Sequence, residues 1–145
     1  MLISHTNRTE AEKVFINVKN GFATTLTTGF VCSYDLKGDS TGKTVSQPQT
    51  GTNSAWYAVA GVATQDIETA GYGLCGAYGV HETNFSSTNA ANDDIEVGQV
   101  VGILTATFRL VSNGLSDGKQ GGTFIAAERV VSNTLGNAKC FVRML

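Results

Sequence analysis

The sequence predicts an all-β protein: one small antiparallel β-barrel or β-sandwich, jelly-roll-like or an open barrel, with an N-terminal arm over 1–13 and a single domain over 14–145. Three observations predict it. Apolar and polar residues alternate with period two in several short runs, the pattern of strands with one buried and one wet face. No apolar stripe of period 3.6 is sustained anywhere. Glycine is abundant, 17 in 145 residues, and concentrates with Thr, Ser, Asn and Asp between the alternating runs, as turns require. At 145 residues the chain is one ordinary domain, able to bury roughly two-thirds of its unfolded surface around a single core.

The strands follow in order. Val14, Ile16 and Val18 alternate with Phe15, Asn17 and Lys19, and Phe30, Cys32 and Tyr34 alternate with Val31, Ser33 and Asp35. Thr9-Glu10-Ala11-Glu12 matches a capping box, but the β-branched run after it favours a strand, so one helical turn is the most expected there. The longest clean alternation sets Leu104, Ala106, Phe108 and Leu110 against Thr105, Thr107 and Arg109, and predicts a half-buried strand over 104–110. Cys140, Val142 and Met144 repeat the theme at the tail, and shorter strands fit near 22–26, 56–64, 72–80 and 123–131. Polar loops are expected over 37–54, 82–94 and 112–122.

One turn pattern recurs. Thr25-Leu26-Thr27-Thr28-Gly29, Asp66-Ile67-Glu68-Thr69-Ala70-Gly71 and Asp94-Ile95-Glu96-Val97-Gly98 each place a polar residue before a buried aliphatic, then reach a glycine where a strand begins. A fainter copy is Thr134-Leu135-Gly136. The pattern predicts a tight turn, with the Asp or Thr oxygen bonded to a nearby backbone N–H and the glycine in the left-handed conformation.

Charge and cysteine usage exclude several roles. A net charge of −2 without a basic run argues against binding nucleic acid or an anionic membrane, since neutralising phosphates needs a basic excess. No apolar stretch approaches the roughly 20 residues of a membrane span. The first 13 residues carry Arg8, Glu10, Glu12 and Lys13 and no apolar core, so a signal peptide is not expected. Cys32, Cys75 and Cys140 cannot all pair with one another, and each lies in an apolar run; buried free thiols in a reducing compartment are the expectation.

Two segments resemble catalytic or cofactor motifs and fail their context. Gly114-Leu115-Ser116-Asp117-Gly118 fits a nucleophile elbow, but no strand precedes it, no helix can follow, and both histidines, His5 and His81, lie upstream. Gly71-Tyr72-Gly73-Leu74-Cys75-Gly76 fits a dinucleotide fingerprint, yet Ala77-Tyr78-Gly79-Val80 continues a strand where a helix is needed. In that strand Tyr72, Leu74, Gly76, Tyr78 and Val80 share one face, while Gly73, Cys75, Ala77 and Gly79 leave the other almost bare, which suits close approach of another backbone or sheet. The cysteine spacing lacks metal-site character, and Asn92-Asp93-Asp94-Ile95-Glu96 reads as a solvated acidic loop without EF-hand spacing. No catalytic residue, cofactor or metal is expected. The aromatics Trp56, Tyr57, Tyr72 and Tyr78, with Val14 and Phe15 at the start of the first strand, form the candidate interface.

The order of segments resembles a known family. Val14-Phe15-Ile16-Asn17-Val18-Lys19-Asn20, Ala23-Thr24-Thr25-Leu26-Thr27-Thr28-Gly29-Phe30-Val31 and Tyr34-Asp35 look like the opening of small tailed-bacteriophage capsid decoration (cement) proteins. Ala58-Val59-Ala60-Gly61-Val62-Ala63, Asp66-Ile67, Gly71-Tyr72-Gly73 and Tyr78-Gly79 are similar to their most characteristic stretch, and Ala138-Lys139-Cys140-Phe141-Val142-Arg143 to their last strand. The resemblance covers about 13–100 and the tail; 103–133 match nothing particular. It implies a non-enzymatic β-protein, commonly a homotrimer, on the outer surface of the virion head. There it would bridge neighbouring major capsid protein subunits after assembly in the bacterial host cytoplasm, with Met1 to Lys13 available as a contact arm. Two alternatives stand beside it: another virion β-protein of the tail or head–tail region, and a carbohydrate-binding domain using Trp56 and exposed tyrosines.

Overall fold

The computed structural model describes residues 12–35, 38–39, 41–48, 59–86, 94–104, 108–111, 123–131 and 135–144. Among these the secondary structure is entirely β: β1 (Val14–Asn20), β2 (Val31–Tyr34), β3 (Thr44–Ser46), β4 (Val59–Ala63), β5 (Tyr72–Ser86), β6 (Val100–Leu104), β7 (Arg109–Val111), β8 (Thr123–Ala126) and β9 (Leu135–Arg143). The predicted all-β class is therefore the observed one. The G-x-S-x-G segment, Trp56, Tyr57 and most of the expected arm lie outside the described residues.

The strands close into two rings that share β5. The first runs β1-β3-β2-β4-β5 and closes through β1–β5; the second runs β5-β7-β6-β8-β9 and closes through β5–β9. Closure leaves these strands without free edges, which all-β proteins must otherwise protect. The two rings have the same topology. Taken in chain order, the five strands of each are arranged 1-3-2-4-5, with 1 and 3 parallel and every other pair antiparallel. The expected antiparallel pairing holds for all but two of the pairs, β1–β3 and β5–β7, which are parallel.

The likeness extends to single residues. Leu26 pairs with Ile67 across the first ring and Ile95 with Val130 across the second, each through two reciprocal backbone bonds. Gly29 N–H donates to Ala63 O, and Gly98 N–H to Ala126 O, both at 2.8 Å. Gly29 and Gly98 have φ of 89° and 86°, the left-handed backbone their turns need. Ala63 stands opposite Cys75, as Ala126 stands opposite Cys140. The recurring turn pattern is the corner of this repeated unit. Two details differ from expectation. In the Asp66 turn the left-handed residue is Ala70 (φ 61°), and Leu135-Gly136 belong to β9, so the fourth corner is Val130.

Each ring holds its own core. Val18, Leu26, Cys32, Val45, Ala60, Ala63, Ile67 and Cys75 fill the first, closed by Phe108, whose ring stacks on Phe30 at 4.4 Å and meets Phe22 edge-on at 5.1 Å. Phe85, Ile95, Val101, Leu110, Phe124, Ala138, Cys140 and Val142 fill the second, together with Val31, Val59 and Val62 from the first ring's wall. Phe108 and the wall valines therefore lock the rings to each other.

Four sequence expectations are corrected. The alternation over 104–110 is not one strand: Leu104 pairs with Arg109 and Ile103 with Leu110, so the chain reverses between β6 and β7. Period two continues through the reversal and hides it. Residues 22–26 contribute only the bridge at Leu26. The loop expected from Lys37 contains β3, entered through Asp39, whose carboxylate accepts bonds from Thr41 and Thr44 and is held well below the usual carboxylate range by them. Likewise β5 runs to Ser86 through Glu82, past the predicted strand end.

Candidate interface

The candidate interface begins on the β1–β5 ladder. Val14 stands opposite Tyr78, Phe15 opposite Gly76, Asn17 opposite Leu74 and Lys19 opposite Tyr72. Four of the six predicted interface residues, Val14, Phe15, Tyr72 and Tyr78, thus meet on one pair of strands. Phe15, Leu74 and Tyr72 are 45 %, 40 % and 65 % exposed and lie diagonally along the outer wall. The ring fixes the backbone that carries these side chains, so the entropy lost on contact is confined to their rotamers. Leu74 was not among the predicted residues, although its period-two alignment with Tyr72 carried the signal. Tyr78 turns towards β9, its ring edge-on to Phe141 at 5.3 Å.

The bare side of β5 is what lets this wall exist. Gly73, Cys75, Ala77 and Gly79 are buried and face inward. A Cβ on Gly73 would sit 2.5 Å from Ile67 Cγ1, and one on Gly79 (φ 102°) 2.6 Å from Glu12 O. The expected close approach is therefore made inside the chain. Gly79 also marks the place where β5 exchanges β1 for β9 as its partner, Tyr78 being opposite both Val14 and Arg143.

At this junction His81 leaves the second ring and lays its imidazole over Gly76, while Phe15 meets the same imidazole edge-on at 5.6 Å. His81 Nε2–H donates to Tyr78 O at 3.0 Å, which fixes the neutral tautomer. Burial lowers its pKa, and the charge of Lys13 adds to that, against the opposing effect of the carbonyl bond. The ring acts as a packing piece.

The remaining polar groups are structural in their geometry. Arg129 reaches Asp94 at 2.5 Å and Glu96 at 3.2 Å, so the acidic segment is bound to its own chain at its described end. Cys32, Cys75 and Cys140 are buried free thiols, and burial pushes Cys140 up to about 12. Among the described residues no group of three or more His, Cys, Asp or Glu side chains converges on one point.

Fold and site together define a small all-β protein with a rigid, outward-facing apolar wall. No protein-family model and no curated protein matches the chain. Among solved structures it is similar to the N base of head fiber gp8.5 of bacteriophage phi29, with a TM-score of 0.49 and 13 % identity over 88 % of this chain and 93 % of that one. At that level the likeness assigns no function to this chain.

Proposed function

We propose that this chain is a structural protein of a bacteriophage virion, a decoration protein that binds the outside of the assembled head and strengthens contacts between major capsid subunits. The observation that carries the proposal is the Phe15–Leu74–Tyr72 wall: apolar side chains exposed on closed, rigid strands, the form of a protein–protein contact. The segments that resemble decoration proteins include β1 and the first part of β5, the two strands that build this wall. On this reading the protein has no catalytic role.

The energetics suit a repeated contact. One small wall grips weakly, but a trimer engages three sites together and gains through effective concentration. A protein that binds only the assembled lattice stabilises that state by linkage. Light scattering and co-sedimentation test it. A particle near three times 15.2 kDa that sediments with expanded shells and not with free capsid subunits is expected. A monomer that ignores shells, or shells equally resistant to heat with and without it, overturns the proposal.

A further inference from the structure

The two rings are built alike, yet one wall is covered in the first and open in the second. In the first ring Val31, Val62, Gly76 and Phe15 stand side by side across β2, β4, β5 and β1. The second ring covers this row from Val31 to Gly76, while Phe15 at its end stays 45 % exposed. Val31 and Val62 are fully buried in its core cluster, Val31 N–H donates to Phe108 O at 3.0 Å, and His81 lies over Gly76. The equivalent row in the second ring is Val100, Ile125, Phe141 and Val80, side by side across β6, β8, β9 and β5. There Val100 is 38 % exposed where Val31 is 0 %, and Ile125, Phe141 and Val80 all keep surface in solvent.

We propose that the Val100–Ile125–Phe141–Val80 row is a second docking face, which takes a segment of another virion protein carrying a bulky apolar side chain beside a carboxylate. The inference rests on the virion reading above. The apolar anchor follows from the row itself, four neighbouring side chains on four strands. The carboxylate follows from the charges bordering Phe141 on β9. Lys139 stands opposite Glu82, whereas exposed Arg143 stands opposite Tyr78 and Thr123, neither of them charged, so that end of the row is electropositive.

A second copy of this chain does not fit the row in the way the second ring fits the first. The covered row has a seat, Gly76, for the imidazole; the open row has Phe141 at that place. The covering ring supplies Phe85 and Phe108. At the corresponding places the first ring has Asn20, buried and committed to three backbone bonds, and Lys43. Four side chains also fall well short of the roughly 800 Å² per partner of a stable pair, while a weak face suffices where many copies sit on one lattice.

The test uses the full chain with Val100→Glu and Arg143→Glu, both at exposed strand positions, and Thr69→Glu on an exposed turn as control. Co-sedimentation with shells and accessory virion proteins is measured across a salt series, with solution mass and thermal midpoint recorded for each variant. Both row variants are expected to keep their mass and midpoint and to lose on the order of tenfold in binding, with Arg143→Glu also flattening the salt dependence. Virion particles that bind the unaltered protein and both variants equally refute this inference alone. Particles that ignore the unaltered protein refute the virion reading, and this inference with it. A change of solution mass in Val100→Glu assigns the row to contacts between copies and overturns the proposal.

Discussion

Replacing Gly76 by alanine tests the joint between the rings. A Cβ there would fall against Cε1, Nε2 and Cδ2 of His81, the last at 2.7 Å. The imidazole is poorly placed to yield: it is 6 % exposed, bonded to Tyr78 O and flanked by Phe15. Overpacking of this kind costs about 1–3 kcal/mol. Alanine also restricts the unfolded chain, which by itself would stabilise by about 0.4–1 kcal/mol, so a net loss is diagnostic of the clash. For a chain of this size each kcal/mol lowers Tm by about 2–4 °C, so a net cost of up to about 2.6 kcal/mol predicts a fall of up to roughly 10 °C in thermal unfolding followed by circular dichroism. A double-mutant cycle isolates the cause. His81→Ala removes the obstacle, so Gly76→Ala is expected to cost little in that background, with a coupling of about 1 kcal/mol or more. Equal cost in both backgrounds would refute the seating of His81 on Gly76.

Other perturbations read other parts of the structure. His81 has a lowered folded pKa, so its contribution is complete above its ordinary value near 6.5 and is lost as pH falls through the folded value; urea midpoints should drop on acidification below about pH 6.5, with a shallower slope in His81→Asn. Asn20→Ala should destabilise by about 3 kcal/mol in urea unfolding, because the buried Asn20 donates from Nδ2 to Thr24 O and Ile67 O and accepts at Oδ1 from Phe22 N–H. Ser33→Ala should be neutral or stabilising by up to about 1 kcal/mol, since Ser33 Oγ is buried without a hydrogen-bond partner among the described residues; a clear loss of stability would reveal one. Phe85→Ala should cost about 3–5 kcal/mol, as it removes one of the two fully buried phenylalanines, Phe85 and Phe124, of the second core.

The β class and the corners were legible because their causes are local. A left-handed residue calls for glycine, so Gly29 and Gly98 announce their turns, and an inward face calls for period two, so β1 and β9 stand out. Ring closure was not legible. β3 is three residues inside a polar loop, and its place depends on Asp39 gathering Thr41 and Thr44. The second part of β5 carries His81, Thr83 and Ser86, polar residues that read as a strand end although all three are buried. The β6–β7 hairpin keeps period two through its reversal, so only the pairing of Leu104 with Arg109 exposes it. Of the candidate interface, Phe15 and Tyr72 could be chosen from residue type alone, but their meeting on one ladder depends on β1 closing onto β5. Nothing local signals the Val100 row, because it exists only once β6, β8, β9 and β5 lie side by side.

The repeat itself was hidden for a related reason. The two rings share identity where the backbone dictates the residue: Gly29 with Gly98 at the left-handed corner, Ala63 with Ala126 beneath it, Cys75 with Cys140 facing that alanine. They differ most where one ring meets the other. Asn20 corresponds to Phe85, Gly76 to Phe141, and buried Val31 to exposed Val100. A unit whose wall must receive a neighbour needs a bare seat there, and a unit whose interior must receive that wall needs large apolar side chains to meet it. A terminal wall needs neither, and its residues are free to fit something else. These differences give the two copies unlike surfaces on one topology. On the proposed reading that division lets one small chain present the Phe15–Leu74–Tyr72 wall to one neighbour and the Val100–Ile125–Phe141–Val80 row to another, and so bridge them.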